Sequence, residues 1–163
     1  MSLFEICQLI DNSQSSIALR ESVWIFPIVE SSHVLGLGFS VGTIFWFDLR
    51  LMGVFMRRYS VSEAFSYVKP WMFGGFVLMI VSGVVLFWSH ALQCYSSGYF
   101  RIKLVLLALA ALNVAVFHST IDRRRTQWDK SPIPPLQAQM AGLMSLLLWL
   151  AVVAVGRLMA YNL

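Results

Sequence analysis

Charge is what this chain has least of. Only 12% of its 163 residues are Asp, Glu, Lys or Arg, against about 25% in soluble domains, which excludes a water-facing surface over most of the molecule. Two cysteines are too few for a disulfide scaffold or a cysteine-rich metal knuckle. The sequence has no phosphate-binding glycine loop, nucleophile triad, internal repeat or low-complexity segment, so nothing points to a stand-alone soluble enzyme. The N-terminal stretch MSLFEICQLIDNSQSSIALRES lacks a basic start, a long apolar core and a small-residue cleavage site. It does not read as a signal peptide, and Leu3 to Ile10 reads instead as a segment lying along a membrane interface.

What the chain does have is apolar length. Hydrophobic residues make up 58% of it, in four runs at about 23–49, 71–89, 101–120 and 137–160, each near or above the ~20 residues that cross a hydrocarbon core of ~30 Å. The expectation is a single all-α domain over residues 1–163, an integral membrane four-helix bundle in contact with the lipid bilayer. Basic residues sit in two connections, Arg50, Arg57, Arg58 and Lys69 after the first run and Arg123, Arg124, Arg125 and Lys130 after the third. The positive-inside rule makes both connections cytoplasmic and both termini external, N-out/C-out. The net charge of +4 is thereby read as a topology signal, not a nucleic-acid surface.

Aromatic residues follow the same division. Trp24, Trp88, Tyr95, Tyr99 and Tyr161 fall near the expected outer surface, and Trp46, Tyr59, Tyr67 and Trp71 near the inner one, where amphipathic rings collect. Trp149 falls mid-span and reads as a packing residue. Ser22 can cap the first span, with Pro27 bending its first turns. Gly38 and Gly42 form a small-xxx-small pair, and Gly75, Ser82 and Ser89 a seam seven residues apart. Between the first two runs, MGVFMRRYSVSEAFSYVKP reads as an inner-surface helix, capped by Ser62, with Pro70 introducing the next span. Cys7 and Cys94 fall on one side of the membrane, either paired or free.

Function is sought where polarity enters the first run. Glu30 and Asp48 lie five helical turns apart on one face, with His33 about 60° to one side. Ionisable groups at membrane depth mark cofactor, ion or proton sites. Counting from Arg50 and Trp71 as inner ends, His33 and His90 stand about 26 and 28 Å from the inner surface. Two level histidines on different helices suit haem b, with Gly36 and Gly83 leaving room for the ring and Glu30 beside it. Copper is the alternative, since His33, His90, Cys94 and a methionine supply soft ligands. His33 and His118 are the metal-ligand candidates. His118 lies near the inner side, where it is expected to pair with Asp48, while Arg50 anchors the helix end and Asn113 bonds across to a neighbouring helix.

The pattern ES.HVLGL....G.....DLRL.G, then PW...GF......G..LF, then F..KL.LL.LA.LN...FH and a Trp-Asp loop, resembles an uncharacterised bacterial four-helix membrane family. That family is related to the copper-resistance protein D family and, more distantly, to the four-helix membrane protoporphyrinogen oxidases. Its motif positions correspond to Glu30, His33, Gly42, Asp48, Arg50, Lys103, Asn113 and His118, and omit His90. The resemblance implies a multi-pass protein of the bacterial inner membrane. Through the oxidases it implies a haem-associated histidine in the first span, which is His33, and through the copper proteins metal handling on the periplasmic side. The combined expectation is a redox or cofactor-binding subunit, served by another membrane or periplasmic protein or by a second copy. The alternative is a non-enzymatic accessory subunit.

Overall fold

In the computed structural model, which describes residues 2–161, every regular element is helical. Two short helices come first, α1 (Leu3–Asp11) and α2 (Gln14–Arg20). Ser2 and Glu5 cap α1 reciprocally, the Ser2 amide donating to Glu5 Oε2 at 2.9 Å and the Glu5 amide to Ser2 Oγ at 3.2 Å. This pairing satisfies amides that a helix start leaves without partners. α1 turns Cys7 inward and leaves Leu3, Phe4 and Leu9 exposed, as an interfacial helix would.

Four helices are long and apolar enough to cross a membrane. α3 (Ile25–Leu51) has Trp24 and not Ser22 at its N-cap, although the Ile25 amide donates to Ser22 Oγ at 3.0 Å. Pro27 sits in the first turn, where amides have no intrahelical acceptor, so it removes no bond. α4 (Val61–Ser89) begins at Ser60, whose amide and hydroxyl close a capping box with Glu63 at 2.8 and 3.1 Å. The separate inner-surface helix is therefore replaced by the first turns of α4. Pro70 lies inside that helix and does not start it. The reason is the Ser60 box, which nucleates the helix ten residues earlier, so that propagation carries it through the proline.

A short turn, α5 (Ala91–Ser96), leads to α6 (Gly98–Val116), which is prolonged by a π turn at Phe117–Ile121, a 3-10 turn at Asp122–Arg124 and the single turn α7 (Arg125–Trp128). The chain ends with α8 (Leu136–Tyr161). The third span thus runs past its expected end near residue 120.

α3 is the central helix. In its most apolar stretch 33% of the residues are buried inside the protein, against 17% in α4, 11% in α6 and 17% in α8. Val41, Ala110, Trp149 and Val152 form one core cluster, drawn from α3, α6 and α8, with Phe76 of α4 beside Trp149 at 5.6 Å between ring centres. Trp149 is thus the packing residue expected. A second cluster, Leu51, Val61, Phe117 and Ala138, closes the end at which α3 stops. Val34, Leu35, Val77, Ile80, Val105, Leu112 and Leu147 point outward, which is stable only where lipid is the solvent.

Antiparallel α3 and α4 are held in register by small residues. A Cβ added at Gly36 would stand 3.0 Å from Gly75 O and Met79 N, and one added at Gly75 would stand 2.8 Å from Gly36 O. The same register sets His33 against Ser82 and Gly83, and Phe26 against His90. The seam of Gly75, Ser82 and Ser89 is buried, as expected, and beside Ser89 the α2 hydroxyl of Ser16 donates to Trp88 O at 2.9 Å. Gly38 and Gly42, by contrast, face open space.

Candidate functional site

His33 is half-buried in the α3–α4 seam, its Nδ1 2.9 Å from Ser82 Oγ. Hydrogen-bond bookkeeping fixes the direction of that bond. The Ser82 hydroxyl has one proton and donates it to the Leu78 carbonyl at 2.6 Å, because a carbonyl can only accept. The hydroxyl oxygen then accepts from His33 in the tautomer that carries its proton on Nδ1, and the ring also meets the Met79 backbone. Gly83 makes room for the ring: a Cβ there would stand 3.2 Å from His33 Cε1.

Lys103 on α6 is half-buried and lies near enough to His33 and Cys94 for its charge to act on both. Its Nζ comes 3.9 Å from where a Cβ of Gly156 would be, so small α8 residues shelter it. The ion pairs of the described residues join other groups, Arg20 to Asp11 and both His118 and Arg125 to Asp122. Lys103 is therefore a cation without a carboxylate partner at the His33 end. A binding role for it was not drawn from the sequence, where it read as the start of the third span, although it lies in the family pattern.

The other candidates part company. Glu30 is exposed, one turn from His33, and makes no bond to it. His90 bonds Ser89 Oγ through Nδ1 at 2.8 Å and packs on Phe26 at 5.4 Å between ring centres. It stands seven residues, or about 10 Å, farther along α4 than Gly83, so the expected level pairing with His33 does not form. Trp71 is not the inner end of α4, which starts ten residues earlier at Val61. Gly36 and Gly83 do not leave room for a porphyrin either, since Met79 and the α4 backbone fill the first gap and the His33 ring the second. Burial, with help from Arg20 and against Asp11, holds His90 below the usual imidazole range.

At the far end, His118 is exposed and bonds Asp122 at 3.0 Å, not Asp48. The partner lies four residues along the same chain segment, in reach within the helical turn itself. Asn113 does bond across, Nδ2 to the Ala141 carbonyl of α8 at 3.1 Å. Arg50 is fully buried, with Nε donating to Tyr59 O and Nη2 to Ser131 O, both at 2.9 Å. It ties the connection after α3 to the one before α8. Gly53 supports the same junction: its φ of +68° suits glycine, and a Cβ added there would stand 3.4 Å from Ile133 Cα and Pro134 Cδ.

Residues 23–162 match the DUF6644 family, a family of unknown function. The chain belongs to the DUF6644 family. No curated protein and no solved structure matches it. In this DUF6644 protein the match covers all four spanning helices and so includes His33, Ser82 and Lys103. His33 is the histidine set in the α3–α4 seam, and His90 lies about 10 Å farther along α4 than Gly83.

Proposed function

We propose that this DUF6644 protein is a cofactor- or ligand-binding subunit of the membrane, acting through His33. The observation that carries this reading is the Leu78–Ser82–His33 relay. Hydrogen bonds of this kind orient ligating histidines and fix their tautomer. Haem b is the proposed group; because the Gly36 and Gly83 gaps are filled, it would lie outside the α3–α4 seam, held by His33, with Lys103 supplying a cation for its carboxylates. When bound, such a group supplies one-electron transfer. Copper is the weaker alternative, because no group of three or more His, Cys, Asp and Glu positioned to hold a metal occurs among the described residues. With the basic connections cytoplasmic, the His33 end faces outward from a bacterial inner membrane, where a partner would exchange electrons with it.

The test is the visible spectrum of protein purified from native membranes, before and after haem is added. The reading expects a Soret band that His33→Ala abolishes and His90→Ala leaves in place. No band, or one indifferent to His33, overturns it.

A second reading, a non-enzymatic accessory subunit, is favoured by the open ridge of Gly38 and Gly42, whose spacing admits a close helix from another chain. His33 and Ser82 are then purely internal partners. This reading expects co-purification with another membrane protein at fixed stoichiometry in mild detergent. Gly42→Leu should break that association and His33→Ala should spare it.

A further inference from the structure

Three helices converge on a buried carboxyl group that has no counter-charge. Asp48 of α3 is 3% exposed, and its Oδ2 has no hydrogen-bond partner. Gly142 lets α8 close on it, since a Cβ there would stand 3.0 Å from the Asp48 carbonyl oxygen. One turn farther along α8, the Ser145 hydroxyl is the hydrogen-bonding side chain that faces the carboxyl group. From α6, Asn113 bonds the Ala141 carbonyl at this same level of α8.

The charged groups around this point make their bonds elsewhere or are turned away. Arg50, two residues on and so on the opposite face of the same helix, donates to Tyr59 O and Ser131 O, with its Nη1 buried and unpartnered, and Asp129 accepts from the Ser62 amide. On the α6 extension, His118 and Arg125 both bond Asp122. On α4, Glu63 closes the Ser60 cap and Lys69 is exposed. The charged residue of α8, Arg157, lies at its opposite end, against Tyr161. An ionised carboxylate out of water with neither cation nor a full set of donors is costly, and such a group takes up a proton instead.

We propose that Asp48 is an intramembrane proton-binding site, occupied at neutral pH, with Ser145 as its hydrogen-bonding partner. The bound proton sits on the oxygen facing Ser145, and Oδ2 is left as a neutral carbonyl oxygen. A metal cation would need about six oxygen ligands, whereas the site presents one carboxyl group and one hydroxyl. A proton needs only the carboxyl oxygen. The Arg50 ties and the Gly53 contact with Ile133 and Pro134 cover this end of the bundle, which keeps water from the carboxyl group.

Infrared difference spectroscopy on the full chain in lipid nanodiscs tests the site. At pH 7 the wild type should show the carbonyl stretch of a protonated carboxylic acid. Asp48→Asn should remove it, and Ser145→Ala should keep it at a shifted frequency. The Ser145 variant retains Asp48 and reads the site even if the Asn variant does not fold. An Asp48 band that is absent at pH 7, or that disappears when sodium or calcium is added at constant pH, overturns the proposal. A band unshifted in Ser145→Ala overturns the assigned partner.

Discussion

Gly75 on α4 and Ser40 on α3 meet backbone to backbone: a Cβ at Gly75 would overlap the Ser40 amide nitrogen and stand 2.9 Å from the Phe39 carbonyl carbon. Because both neighbours are main chain, neither can rotate aside. Gly75→Ala must push the two helices apart, and overpacking of this kind costs about 1–3 kcal/mol. Gly38→Ala is the matched control, since it meets nothing within 4 Å and gains about 0.8–1 kcal/mol of helix propensity. Thermal unfolding followed by circular dichroism in one detergent should lower the midpoint for Gly75→Ala and hold or raise it for Gly38→Ala. Equal midpoints would show that the α3–α4 seam is not packed this way.

The same seam shows what could be read in advance. Four apolar runs and a small-residue stripe are properties of single helices, and period and composition suffice to find them. Register is a property of two helices and is not written in either. The level of His90 was misjudged for that reason: the Pro70–Trp71 pair resembled a helix start, while Ser60 and Glu63 had already begun one. His33 could be singled out because a histidine in an apolar helix is conspicuous, but its partner Ser82 looked like any other small residue. His118 was assigned across the bundle to Asp48 when its partner is an acid four residues along its own segment.

Arg50 should resist conservative replacement. Its Nε and Nη2 reach carbonyls in two different connections, at Tyr59 and Ser131, and hydrogen bonds from a charged donor contribute about 1.5–3 kcal/mol each. Lysine carries the charge but not the planar fork. Arg50→Lys is therefore expected to loosen both connections at once, giving faster proteolytic cleavage within residues 52–60 and 129–135 while helical content is kept. Cleavage at the wild-type rate in both segments would remove Arg50 as the tie.

Ser82→Ala separates tautomer control from packing. It removes the hydroxyl that holds His33 Nδ1 and leaves the Gly83 cradle intact. Loss of such an outer partner typically weakens ligation by about 10–100-fold. Haem titration of the purified variant should show that weakening, with Ser82→Thr restoring most of the affinity. Unchanged affinity in Ser82→Ala would make the Ser82 bond irrelevant to ligand binding.

Acid should weaken the attachment of the N-terminal helices. Burial and Arg20 keep folded His90 below the ordinary imidazole value, with Asp11 opposing, so the unfolded chain binds the proton more readily. By linkage, stability is complete above the unfolded value of about 6.5, and falls as pH drops below it until folded His90 is itself protonated. The unfolding midpoint should therefore decline as pH falls below about 6.5, and His90→Gln should flatten that decline. A slope identical in wild type and variant would assign the effect to other groups.

The last prediction concerns the Cys94 thiol. Burial pushes it up to about 11, Asp11 and Cys7 add to the effect, and Lys103 opposes it. The thiolate is the reactive species, so at pH 8 only about one Cys94 in a thousand is competent to attack. In a Cys7→Ser background, maleimide labelling of the folded protein should be slow and should accelerate about tenfold per pH unit. Lys103→Met removes the one cation that favours the thiolate and should slow labelling further, whereas detergent unfolding should erase the difference between the two proteins. Labelling of folded Cys94 at the rate of a free model thiol would show that its burial does not hold in solution, and equal rates with and without Lys103 would remove the effect of that cation.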